Sequence, residues 1–137
     1  EAAGTLDTPE YKQATAYFYD LFVTRGEAVE RFDCTDAPGN SLIYNQMWGP
    51  TEFLSTGSLV DFDLRPRLAD ISVPTLFLTG EYDEARPETI AGFASKVPNS
   101  QFEVIAGVAH SSLNRSPDAY RGYVRAFIRG VEHTDNP

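Results

Sequence analysis

The spacing of apolar residues changes period part-way along the chain. Tyr11, Ala14, Tyr17, Phe18, Leu21 and Phe22 recur at helical intervals. They follow Thr8-Pro9-Glu10, which offers an N-cap hydroxyl, a proline at the first helical position and an acid in the first turn. Gly26 is the expected terminator of this helix. Its aromatic face reads as a packing surface, with the lining of a substrate cavity as the alternative. Residues 27–40 are polar and close on Asp36-Ala37-Pro38-Gly39-Asn40, which predicts a turn or mobile loop. Asn40 or Ser41 then caps a short helix through Leu42, Ile43, Tyr44 and Met47 to Trp48, stopped by Gly49-Pro50. Residues 51–63 show no clear period, and residues 64–71 predict another short helix.

From Val73 the pattern becomes regular. Residues 73–79 form an apolar run that predicts a strand, with Pro74 at its start, where a missing N–H is tolerated. Residues 87–97 predict a helix with Ile90, Phe93 and Ala94 on one face, and residues 101–106 a second strand. Ser116-Pro117-Asp118 opens a final helix whose apolar side carries Tyr120, Tyr123, Val124, Phe127 and Ile128. The order β-α-β-α with short loops predicts an α/β fold, a parallel sheet with flanking helices. Two strands do not make a stable sheet alone, so the apolar surface is expected to dock onto something.

Composition narrows the partners. The chain has 137 residues, about one domain, with ordinary apolar (42%) and charged (23%) content. Its formal net charge is −9 and its Lys and Arg form no cluster that tracks phosphates, which argues against nucleic acid. A cationic or amine-bearing ligand fits this charge better, although net negative charge also simply serves solubility. The single cysteine, Cys34, lies in the acidic stretch Phe32-Asp33-Cys34-Thr35-Asp36, where neighbouring carboxylates disfavour the thiolate, so it is not read as a nucleophile. No apolar run reaches membrane-spanning length and no signal-peptide pattern opens the chain, so no membrane partner and a cytoplasmic location are expected.

The candidate chemistry sits at the ends of the two predicted strands. The first runs into Gly80-Glu81-Tyr82-Asp83-Glu84 and the second into Gly107-Val108-Ala109-His110. One strand–helix–strand unit separates them, which places Asp83 and His110 side by side at the carboxyl ends of neighbouring parallel strands. There an acid orients an imidazole as general base for a nucleophile. Taken singly, each residue has a plainer reading as a loop acid or a loop histidine, and Glu81 reads as a solvated loop acid. His133 lies in the polar tail, leaving His110 as the base; one usable histidine builds no metal site, and no cofactor is expected. None of the serines lies in a Gly-x-Ser-x-Gly nucleophile elbow.

Several of these segments together carry a resemblance. Thr8-Pro9-Glu10-Tyr11, Tyr44-Asn45-Gln46-Met47-Trp48-Gly49-Pro50-Thr51-Glu52-Phe53, Arg67-Leu68-Ala69-Asp70-Ile71-Ser72-Val73-Pro74-Thr75-Leu76, Gly80-Glu81-Tyr82-Asp83-Glu84 and Ala109-His110 resemble the proline iminopeptidase family of α/β-hydrolases. The Pro-Thr-Leu, Gly and Asp signal is common to most α/β-hydrolases, whereas Met-Trp-Gly-Pro-x-Glu-Phe is much narrower. The resemblance implies the C-terminal half of an α/β-hydrolase fold preceded by part of a helical cap, with residues 1–60 as cap segment and 61–137 as core. Asp83 and His110 would be two members of a catalytic triad. Glu52 and Glu84 would bind the free α-ammonium of the substrate, since a desolvated amine needs paired carboxylates. Trp48, Phe53 and Tyr44 would wall a pocket for a proline-like residue, with core packing as the alternative for each. The family's elbow and oxyanion loop precede the cap, so the implied partner is an N-terminal fragment of the same hydrolase carrying the serine.

The implied activity is a serine aminopeptidase or amidase releasing an N-terminal residue, preferably proline, from a small peptide or amide with a free amine. An ester or lactone hydrolase with the same triad, and a non-catalytic remnant, are the alternatives. One departure bears on specificity. After the histidine, where the family carries an acid-rich run, this chain reads Ser111-Ser112-Leu113-Asn114-Arg115-Ser116.

Overall fold

The computed structural model describes residues 4–26 and 39–134. Most of the polar loop expected at residues 27–40, with Cys34, lies outside them, as do residues 1–3. The first helix, α1 (Pro9–Phe18), begins as the sequence predicts: the Thr8 side chain accepts a hydrogen bond from the Tyr11 N–H at 3.3 Å. It does not continue as an α-helix to Gly26. It widens into a π-helical segment, Tyr19–Thr24, where the Arg25 N–H reaches back five residues to the Asp20 carbonyl at 3.1 Å. This wider turn shifts the phase of every side chain after Phe18.

Helix α2 (Ser41–Met47) is capped by Asn40, whose Oδ1 accepts from the Ile43 N–H at 3.1 Å. The aperiodic stretch after it is a closed loop rather than an open one. The N–H groups of Thr56 and Gly57 donate to the Trp48 carbonyl at 2.8 and 2.6 Å, and those of Ser58 and Leu59 to Gln46 and Met47 at 3.0 and 2.9 Å. The loop thus supplies partners to carbonyls that the end of α2 leaves open. A Cβ at Gly57 would run into the Met47 backbone. A short 3₁₀ helix, Arg65–Asp70, then leads into the sheet.

Strand β1 (Thr75–Gly80) pairs in parallel with β2 (Ser100–Ile105), in register from Thr75 opposite Ser100 to Gly80 opposite Ile105. The strand starts two residues later than predicted, after Pro74. Helix α3 (Pro87–Ala94) makes the crossover and packs on both strands. A short helix α4 (Ser112–Arg115) and the long α5 (Pro117–Thr134) follow, with α5 packed on β2. The expected α/β architecture of parallel strands and flanking helices is therefore present.

The core is small. Ala94, Val97, Ile105, Val108 and Ala109 are buried, whereas Leu76, Phe77 and Leu78 of β1 are only half-buried. A parallel strand with apolar residues on both faces is normally covered on both. Among the described residues no helix is long and apolar enough to cross a membrane.

Candidate active site

The two strand ends meet as the register requires. Beyond Gly80 and Ile105 the pairing continues into the turns: the Glu81 N–H donates to Ile105 at 3.0 Å and the Tyr82 N–H to Val108 at 2.9 Å. Gly80 is needed for this approach, because a Cβ there would collide with the carbonyl oxygens of Val108 and Ala109. Asp83 is held by its own turn, its Oδ1 accepting from the Ala85 N–H at 2.9 Å. The same oxygen lies 3.1 Å from His110 Nδ1. The Asp83 side chain is 7% exposed and that of His110 56%, so the acid is buried and the ring reaches solvent. With Nδ1 bonded to the carboxylate, Nε2 is the nitrogen left to exchange a proton with a substrate or nucleophile.

The front helix grips both turns from above. The carbonyl of Phe22, in the π-helical segment, accepts from the backbone N–H of Glu84 at 3.3 Å and from that of His110 at 3.2 Å. The next carbonyl, Val23, accepts from the Ser111 N–H at 2.8 Å. Beside it the Arg25 guanidinium lies 3.6 Å over the Tyr82 ring, a cation–π contact next to the acid turn.

Glu52 and Glu84 are far apart in sequence and close in space. Glu52 is positioned by the closed loop: the Trp48 indole donates to its carbonyl at 3.0 Å, and the Tyr11 hydroxyl reaches the preceding Thr51 at 3.1 Å. Burial and then the charge of Glu52 push the Glu84 carboxyl above its usual range, and Asp83 adds to this while His110 opposes it. The Oε1 of Glu52 is buried with no hydrogen-bond partner among the described residues. Tyr19 completes this cluster. A hydrogen bond to Glu52, then burial and the nearby charges of Glu52 and Glu84, push its phenol up to about 12. Two carboxylates, one of them with a buried unpaired oxygen, beside an acid–base pair make an environment suited to a cation.

The three aromatic residues come from α2, its C-cap and the closed loop that follows. Tyr44 and Trp48 line a groove of about 750 Å³ with Ile43, Met47 and Leu59. Phe53 packs edge-on against Phe18 at 5.1 Å and Tyr19 at 6.4 Å between ring centroids, beside a cavity lined by Tyr11 and Phe18. Sequence reasoning missed Tyr19, which helical spacing alone did not single out. Glu81, read as a solvated loop acid, is exposed, and its Oε2 also accepts from the Gly107 N–H at 2.8 Å.

A buried acid and a half-exposed histidine following successive parallel strands, joined by a right-sized helical crossover, are features of the α/β-hydrolases, and this chain holds part of that fold. No protein-family model matches the chain. The proline iminopeptidase of Heyndrickxia coagulans is 35% identical over 133 residues, 96% of this chain and 46% of the relative. That of Thermoplasma volcanium is 33% identical over 127 residues, 91% of this chain and 43% of the relative. The crystal structure of proline iminopeptidase from Mycobacterium smegmatis superposes with a TM-score of 0.80 at 30% identity, covering 98% of this chain and 46% of that one. The chain is similar over nearly its whole length to proline iminopeptidases, shares part of the α/β-hydrolase fold with them, and spans about half the length of the curated relatives it matches.

Proposed function

We propose that this chain carries the acid–base pair and the amine-recognition site of a serine aminopeptidase or amidase that releases an N-terminal residue, preferably proline. The nucleophilic serine and the oxyanion hole belong to a separate N-terminal segment. The observation that carries this reading is the juxtaposition of two acidic clusters with different tasks. Asp83 engages the His110 ring directly, while Glu52 and Glu84 share a charge environment beside it with an oxygen left unpaired. In the proposed reaction His110 Nε2 takes the proton of the serine hydroxyl as its oxygen attacks the scissile carbonyl. Asp83 stabilises the resulting imidazolium, which then protonates the departing amine. Water, deprotonated by the same ring, hydrolyses the acyl-enzyme. The free ammonium of the substrate sits between Glu52 and Glu84 and sets which amide bond lies over the serine. The names of the relatives support the proline preference.

The test is native purification of the chain from its source followed by a fluorophosphonate reagent and L-proline p-nitroanilide. The expected result is a label on a serine outside these 137 residues, with hydrolysis that the label abolishes. A native particle of 15.2 kDa with neither label nor turnover overturns the reading. Glu52→Gln separates the aminopeptidase from an esterase: an aminopeptidase loses most activity on free-amine substrates and an esterase keeps its own.

A further inference from the structure

We infer that Glu81 is a positioning residue for the acid–base pair, an inference that rests on the function proposed above. Its carboxylate fixes the turn that carries His110 relative to the turn that carries Asp83. Several backbone donors of these turns bond outside their own strand, and Glu81 serves one of them. The sheet ladder ends at Gly80 and Ile105. Past it, Tyr82 N–H goes to Val108, His110 N–H to Phe22 and Ser111 N–H to Val23. Gly107 sits at a φ of +76°, in the left-handed region that glycine tolerates. That N–H finds Glu81 Oε2 at 2.8 Å, across 26 residues of sequence. The bond is charge-assisted and spans the two turns whose tips bear Asp83 and His110.

The His110 backbone is thus held from two sides, by Phe22 at its own N–H and by Glu81 three residues earlier. The second grip matters because the ring itself is more than half exposed and is anchored at Nδ1 by Asp83. Gly107, the most permissive residue in the segment, would otherwise let the turn swing. A shift of that kind at Cα is magnified at the ring, where about an ångström of misplacement costs a large factor in rate. Glu81 touches neither substrate nor the reacting atoms; it acts through Gly107.

The experiment compares Glu81→Ala and Glu81→Gln in the full chain. Gln retains a side-chain oxygen able to accept from the Gly107 N–H, and Ala does not. The readout is the His110 Nδ1–H proton resonance, which the bond to Asp83 places far downfield and protects from exchange with water. The Gly107 amide resonance is followed alongside it. Glu81→Ala is expected to shift the Gly107 amide and lose the His110 signal while circular dichroism stays unchanged; Glu81→Gln restores both. In the serine-bearing complex, Glu81→Ala lowers kcat about tenfold with KM nearly constant. A folded Glu81→Ala with the wild-type His110 resonance overturns the inference. Should Glu81→Ala fail to fold, Glu81→Asp, whose carboxylate is withdrawn by one methylene, takes its place with the same readings. A lack of turnover by wild type would count against the proposed function and leave the resonance measurement, which needs no catalysis, to decide on Glu81.

Discussion

Tyr19 and Glu84 report on the same carboxylate from opposite sides. Tyr19 is raised to about 12 chiefly by its hydrogen bond to Glu52, so Glu52→Gln should bring it back toward the ordinary 10.0, read as tyrosinate absorbance during an alkaline titration. The sign for stability follows from proton uptake. Between pH 10 and 12 the folded chain keeps a proton that the unfolded chain has lost, so this contribution is complete below pH 10 and disappears as pH rises through about 12. Glu84 is also raised, by burial and by Glu52. Its folded form holds a proton that the unfolded form gives up, so stability falls as pH rises from its ordinary range through its raised one. An ammonium ligand reverses the preference, because it favours the ionised carboxylate. Binding of L-prolinamide should therefore release a proton in that acidic window and weaken as pH falls through it. Calorimetry in buffers of different ionisation enthalpy checks this, and Glu84→Gln should abolish the proton release.

At the scale of elements, local chemistry was legible wherever a cap or a period carried it. Thr8-Pro9 started α1, Asn40 capped α2, and the Asp83 and His110 turns fell at the ends of β1 and β2 as spacing required. Thr8→Ala should cost about 1 kcal/mol in a urea titration, the usual loss for an N-cap hydroxyl. What the sequence hid were features made by backbone geometry. The π-helical segment looks like an α-helix by composition, yet its extra residue per turn is what presents the Phe22 and Val23 carbonyls to the active-site turns. The closed loop after α2 has no period because its bonds run to the backbone of the helix it follows. Gly80→Ala is the sharpest test of element packing. A methyl group against two carbonyl oxygens must push β1 from the His110 turn, and a loss of about 2–4 kcal/mol is expected in chemical denaturation.

For the whole molecule the two-stranded sheet is the governing fact. Leu76, Phe77 and Leu78 are half-buried, and Ile43, Met47, Val60, Phe62, Leu64 and Val73 are exposed. The chain by itself should bind an apolar dye such as ANS strongly, and the fluorescence should fall when the serine-bearing segment is added; unchanged fluorescence would show that this surface stays open. The sequence by itself determined the β-α-β-α order, the family resemblance, and the identity of an acid and a histidine one crossover apart. Those are set by periodicity, caps and short motifs, which act within a few residues. Tertiary structure decided that Glu52 meets Glu84, that Tyr19 joins them, that Phe53 packs on Phe18, and that Glu81 holds Gly107. Each of these pairs lies far apart in sequence. The packing of the first helix and of the loop after α2 brings Glu52, Glu84, Tyr19, Phe53 and Phe18 together, and the parallel pairing of β1 with β2 brings Glu81 to Gly107.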